Sequence, residues 1–106
     1  MNMIVEFAPI RLAPGKTEAD LVAASETFQQ AFLAVQPGFV RRELLRKSER
    51  EFIDVVHWRS AADAEAIMHK VAESEACALY FSVMQMPEDG DATTGVEHLA
   101  SVAIYG

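Results

Sequence analysis

The sequence predicts a small α+β domain with the chain order β-α-β-β-α-β, and three observations predict it. Two strand-length apolar runs, residues 39–46 and 51–58, stand at hairpin spacing in the middle of the chain. A segment of helical periodicity flanks them on each side, and a β-branched, apolar run lies near each end. This order is the split β-α-β of a ferredoxin-like domain. Connection rules then place both main helices on one face of a four-stranded antiparallel sheet.

Each element has its own local reason. Residues 3–12 (MIVEFAPIRL) form the first strand, and Pro14-Gly15 turns the chain after it. Thr17 and Asp20 resemble a capping box, after which Leu21, Ala24, Phe28, Ala31 and Val35 recur at helical spacing to about Gln36. Pro37-Gly38 stops that helix, because proline cannot continue the hydrogen-bond ladder. The runs FVRRELLR and EFIDVVHW pair as antiparallel strands across the charged Lys47-Ser48-Glu49-Arg50. Ser60 caps a second helix with Asp63 at its third position and Ala64, Ile67, Met68 and Val71 as its apolar stripe. Residues 74–84 add a helical turn or two after a break, 85–95 form a loop rich in acids, Pro and Gly, and 96–105 form the last strand.

Length and charge narrow the function classes. At 106 residues and 51% hydrophobic, residues 1–106 suit one domain with one core and little room for a deep private cavity. Sixteen acidic against nine basic residues give a net charge of -7, which argues against nucleic acid and anionic membrane surfaces as partners. The lone Cys77 excludes an internal disulfide and a cysteine-based zinc site, and suits a reducing cytoplasm. Met1-Asn2-Met3-Ile4-Val5-Glu6 reaches a carboxylate too early for a signal peptide or membrane helix. The first and last strands are apolar on both parities, Ile4, Ala8 and Ile10 opposite Val5 and Phe7, and Leu99 and Ala103 opposite Val102 and Ile104. A sheet face uncovered by helices yet apolar implies a partner, and a second copy related by a two-fold axis is the simplest one.

Pro37-Gly38-Phe39 leads into Arg42-Glu43-Leu44, and the third strand ends in Val56-His57-Trp58-Arg59-Ser60, with Ala and acidic residues in the helix that follows. In these places the sequence resembles the dimeric α/β-barrel superfamily, in particular the antibiotic biosynthesis monooxygenase domain, over about residues 3–105. The resemblance implies a homodimer whose two sheets face one another to form a barrel, with a pocket between sheet and helices or at the sheet interface. It also implies oxygenation of aromatic or quinone-like molecules without metal, flavin or haem. Haem-degrading members carry a strand-one asparagine, a tryptophan in the second helix and a histidine about ten residues later. The corresponding positions hold no asparagine beyond Asn2, and fall near Ile67 and Cys77, so no haem role is carried over.

Two histidines are candidate bases for deprotonating a phenol or hydroxyquinone, since imidazole titrates near neutral pH. His57 comes first and His98 second; the alternative for each is a structural or solvated histidine. His57 and Trp58 project to opposite sheet faces, because side chains alternate along a strand. Trp58, Tyr80 and Phe81 are candidate walls of an aromatic-ligand pocket, with Met84 and Met86 beside them, or else plain core. Glu6, Arg41, Arg42, Glu43 and Asp54 are charges inside strands, which must be paired or wet. They form ion pairs across neighbouring strands or the dimer interface, or else a polar lining that orients an oxygenated ligand, with Arg41 and Glu43 as the candidate binding residues; Glu43 matches a glutamate common in the family's second strand. Glu65 and His69 lack a third metal ligand, Gly15-Lys16-Thr17 lacks the upstream glycine of a phosphate loop, and Cys77 reads as inert burial. The leading expectation is a cytoplasmic, cofactor-independent monooxygenase; the alternative is a non-catalytic binding or dimerisation module of the same fold.

Overall fold

Alternation in the two central runs decides the sheet. In a computed structural model, which describes residues 2–106, β2 (Phe39–Arg46) and β3 (Glu51–Trp58) pair antiparallel. Strand β1 (Ile4–Arg11) lies antiparallel on the other side of β3, and β4 (Glu97–Ala100) on the far side of β1, so the order is β2-β3-β1-β4. Helices α1 (Glu18–Ala31), α2 (Ala61–Met68) and α3 (Glu75–Ser82) complete the fold, with short 3₁₀ turns at Leu33–Val35 and Val71–Glu73.

The expected capping box begins α1: the Thr17 hydroxyl accepts from the Asp20 amide, and the Asp20 carboxylate accepts from the Thr17 amide. The helix ends five residues earlier than the periodicity suggested, and a 3₁₀ turn carries the chain on to Pro37-Gly38. Ser60 caps α2 by accepting from the Asp63 amide, and Ser74 caps α3 by accepting from the Cys77 amide. Gly38 is demanded twice over. Its φ is +80°, and a Cβ there would fall 2.2 Å from the Asp63 carboxylate.

Register fixes which strand residues face the helices. Phe52, Asp54, Val56 and Trp58 of β3, and Ile4, Glu6 and Ile10 of β1, are buried under the helical layer with Leu21, Phe28, Leu33, Ile67 and Tyr80. A bulge between Phe39 and Arg41 lets β2 send Phe39, Arg42 and Leu44 to the same side. The opposite face carries Val5, Phe7, Ile53, Val55 and His57, with Leu45 and Leu99 exposed at its flanks.

The last strand is shorter than the expected 96–105. Antiparallel pairing sets Glu97–Ala100 against Phe7–Ile4, so β4 reaches the end of β1 at Ala100. One further bond, from the Ser101 amide to the Met3 carbonyl at 2.8 Å, extends the ladder. Beyond it Val102, Ile104 and Tyr105 stand exposed. Because β4 pairs only with the first half of β1 and Gln85 next bonds that edge at the Arg11 carbonyl, the edge is unpaired at Pro9, which explains how a proline sits inside the strand. The Leu12 amide points to β3, bonding the Arg50 carbonyl, so by alternation the proline nitrogen points away from β3 and breaks no ladder bond.

Candidate functional site

Between the sheet and the helices the core leaves a cavity of about 70 Å³. Its floor is the helix-facing side of β1 and β3: Glu6, Ala8, Ile10, Asp54, Val56 and Trp58. Phe28, Ile67 and Tyr80 wall it, and Phe81, Met84, Ala92, Thr93 and Val96 roof it. Open clefts adjoin the roof on both sides, one sharing Met84 and Ala92 with the cavity and the other sharing Phe81, Ala92 and Thr93. The loop expected at 85–95 is therefore what separates the cavity from solvent. Hydrogen bonds of its own hold it: Asp89 accepts from the Asp91 amide at 2.9 Å and the Thr94 hydroxyl at 2.6 Å, and Asp91 accepts from Thr93. Those contacts keep the Asp89 carboxyl below its ordinary value, the Thr94 hydroxyl chiefly. Gly95, at φ +84°, lets the loop lie close against Pro9.

Two carboxylates interrupt this apolar lining. Glu6 Oε1 accepts from the indole Nε1 of Trp58 at 3.2 Å and is hydrogen-bonded to Nε2 of His98 at 2.9 Å. Glu6 Oε2 has no hydrogen-bond partner among the described residues. The two side chains differ in access: Glu6 is 10% exposed, whereas His98, on the edge strand β4, is 30% exposed. A buried carboxylate thus meets the cavity on one side and an imidazole open to water on the other.

Asp54 belongs to a tighter network. Its Oδ2 accepts from the Tyr80 hydroxyl at 2.6 Å, and both oxygens accept from Arg42, at 3.2 and 3.3 Å. Arg42 also donates to the Ser25 carbonyl at 3.0 Å and to the Ser25 hydroxyl, so α1, β2, β3 and α3 meet at one guanidinium. That guanidinium lies over the rings of Phe28 and Tyr80, 5.2 and 5.6 Å from their centroids. Burial pushes the Asp54 carboxyl above its ordinary value, and the Glu6 charge adds to the push, while Arg42 and Tyr80 oppose it. Burial raises the Tyr80 hydroxyl as well, with the neighbouring Asp54 charge as the next cause.

The structure brings together some of the residues singled out in the sequence and separates others. Trp58, Tyr80 and Phe81 line one cavity, and His98 reaches its edge through Glu6. His57 does not reach it. Paired with Val5 on the opposite parity from Trp58, it lies on the other sheet face, as the alternation rule required. Arg41 and Glu43 lie on that same face, exposed and 3.7 Å apart, so they pair with each other along one strand. Sequence reasoning gave Glu6, Arg42 and Asp54 two readings, cross-strand ion pairs or a polar lining for a ligand, without naming which of them would meet the cavity. The parity shared by Glu6, Asp54 and Trp58 was the available signal, since it sets both carboxylates on the indole's face. Ser25 carried no signal beyond its helical spacing. No group of three potential metal ligands occurs among the described residues, Glu65 and His69 included. Cys77 is buried, and burial raises its thiol.

The sequence matches the antibiotic biosynthesis monooxygenase family profile over residues 3–70. Among solved structures, a Bordetella bronchiseptica protein that carries the same family's name superposes with a TM-score of 0.75 at 21% identity, covering 97% of this chain and 100% of its own. SnoaB, a cofactor-independent oxygenase from Streptomyces nogalater, superposes with a TM-score of 0.66 at 16% identity, covering 100% of this chain and 97% of its own. A Nitrosomonas europaea protein of unknown function, NE2512, gives a TM-score of 0.70 at 14% identity, covering 99% of this chain and 94% of its own. At these identities the likeness is one of fold. No curated protein matches by sequence.

Proposed function

The chain belongs to the antibiotic biosynthesis monooxygenase family, and from that premise we propose that it is a cofactor-independent monooxygenase acting on an aromatic or quinone-like small molecule. The observation that carries this reading is the cavity itself, an aromatic-walled space in which, among the described residues, Glu6 and Asp54 are the charged lining groups. In this chemistry the ionised ligand is electron-rich enough to reduce dioxygen directly, one oxygen atom entering the product and the other leaving as water. The protein must ionise the ligand, orient it and keep water out. Trp58, Tyr80 and Phe81 are the walls. Of the two histidines, His98 is the one assigned to the proton path, because it alone communicates with the cavity, through Glu6.

At about 70 Å³ the cavity is smaller than the roughly 150 Å³ that admits benzene in a well-studied engineered case, so ring entry requires the roof to move. Phe81, Met84, Ala92 and Thr93 border the open clefts into which they can be displaced. A second copy packs on the opposite face, where Val5, Phe7 and Ile53 stand partly exposed. The homodimer thereby leaves the cavity mouth free.

Oxygen uptake with a panel of anthrones and hydroquinones tests the reading. Wild-type protein and His57→Ala turn over alike, and His98→Ala loses about 10²-fold or more in kcat, the usual worth of a positioned base. Uptake by none of the panel removes the oxygenase assignment and leaves the non-catalytic binding module. Equal loss in His57→Ala moves the site to the other face.

A further inference from the structure

The contact between Glu6 and His98 does more than anchor a side chain. Glu6 lines the cavity; its Oε1 is bound to an imidazole at the sheet edge, and its Oε2 has no hydrogen-bond partner among the described residues and is not sealed from solvent-sized space. Buried carboxylates are ordinarily saturated with donors or neutralised by a fixed cation. Asp54, in the same cavity, shows that ordinary arrangement, with Arg42 and Tyr80 occupying both its oxygens. Among the described residues Glu6 has neither a fixed cation nor a full set of donors, and its titratable partner His98 is three times as exposed as itself.

We propose that Glu6 and His98 form a proton relay from the cavity to solvent, in which Glu6, not the histidine, touches the ligand. The ligand is a hydroxyarene or enol. Its O–H bond breaks and an O–H bond forms at Glu6 Oε2. The pair acts in the form that holds one proton between Glu6 Oε1 and His98 Nε2, with a second on the ring's Nδ1. As Oε2 takes the ligand's proton, the shared proton settles on Nε2 and the proton on Nδ1 leaves to water. The ligand is then its anion, the carboxyl is neutral with its proton on Oε2, and the imidazole is neutral with its proton on Nε2; return of the Oε2 proton to the departing product and uptake of a proton from water at Nδ1 reset the pair. Trp58 fixes the geometry from the third side: its indole can only donate, so it holds Glu6 Oε1 in place without accepting the proton. The relay rests on reading the cavity as the ligand site, but not on the ligand's being oxygenated.

Proton transfer can be read without oxygen chemistry, by mixing the protein anaerobically with para-nitrophenol in weakly buffered solution containing a pH indicator. Quenching of Trp58, the sole tryptophan, reports binding, the phenolate band reports ionisation, and the indicator reports release to water. In wild-type protein the band and the released proton appear together. In Glu6→Gln, which keeps a carbonyl acceptor for Trp58 and His98, quenching persists and the band is lost. In His98→Ala the band forms but release is slower by at least roughly tenfold, and added imidazole closes the lag. A structural histidine gives no such rescue. The relay is overturned by a bound phenol that stays protonated in wild-type protein, by a band that survives in Glu6→Gln, by failure of imidazole to restore release, or by no quenching at all. Ionisation without oxygen uptake from any substrate, by contrast, would sink the oxygenase reading and leave the relay standing.

Discussion

Glu6 and Asp54 lie on adjacent strands two positions out of register, facing one cavity, yet their surroundings treat the two charges differently. Asp54 is locked to a guanidinium that is itself 7% exposed, a pair whose removal leaves whichever partner remains uncompensated. Replacing Arg42 with Met is expected to cost about 3–5 kcal/mol at neutral pH in urea denaturation. The cost should shrink in acid. With its folded value raised, Asp54 contributes most below the ordinary carboxylate value of 3.8 and loses that contribution as pH rises through the folded value. A cost independent of pH would mean that Asp54 does not carry the coupled charge. At this scale the sequence was half legible. Strand charges had to find partners, and alternation put His57 and Trp58 on opposite faces. Ranking the histidines, however, required the register that sets His98 across from Glu6, and register between distant strands is not written in either strand alone.

Among the elements, the helix starts and the central hairpin followed their local signals closely, because caps and hairpin spacing act within a few residues, whereas α1 gave way to a 3₁₀ turn ahead of Pro37-Gly38. The last strand departed from them. Its apolar run continues to Tyr105, but a strand persists only where a neighbour supplies hydrogen bonds, and β1 supplies them as far as Ser101. Gly38 offers an element-level test: Gly38→Ala puts a Cβ into the Asp63 carboxylate at a positive φ, and should destabilise by about 1–3 kcal/mol. Gly15→Ala, at the same φ but in open space, should cost less, and equal costs would deny Asp63 its part. The roofing loop titrates in the opposite sense to Asp54. Asp89 has a depressed value, so its contribution is present above the ordinary carboxylate value and lost as pH falls through the folded one. Amide exchange at Asp91 and Thr94, with intrinsic rates corrected for pH, should lose protection in acid ahead of the β-sheet. Loss in step with the sheet would show that the loop has no separate opening.

For the molecule as a whole, the face opposite the helices carries partly exposed Val5, Phe7 and Ile53 between exposed Leu45 and Leu99, and a stable homodimer needs about 800 Å² from each partner. Wild-type protein should sediment as a pair at micromolar concentration, and Phe7→Glu, at the centre of that face, as a folded lone protomer. A well-folded lone wild-type protomer would remove the barrel architecture. It would not remove the cavity, which one chain builds between its own sheet and helices. That division of labour, one face for association and the other for a ligand, is the claim on which the functional account depends. Titration of the labelled protein with para-nitrophenol, followed by amide and indole chemical shifts, tests it most directly. The account predicts shifts at Trp58 Nε1, Phe81 and Thr93 with His57 and Arg41 still; shifts confined to His57, Arg41 and Glu43 would contradict it.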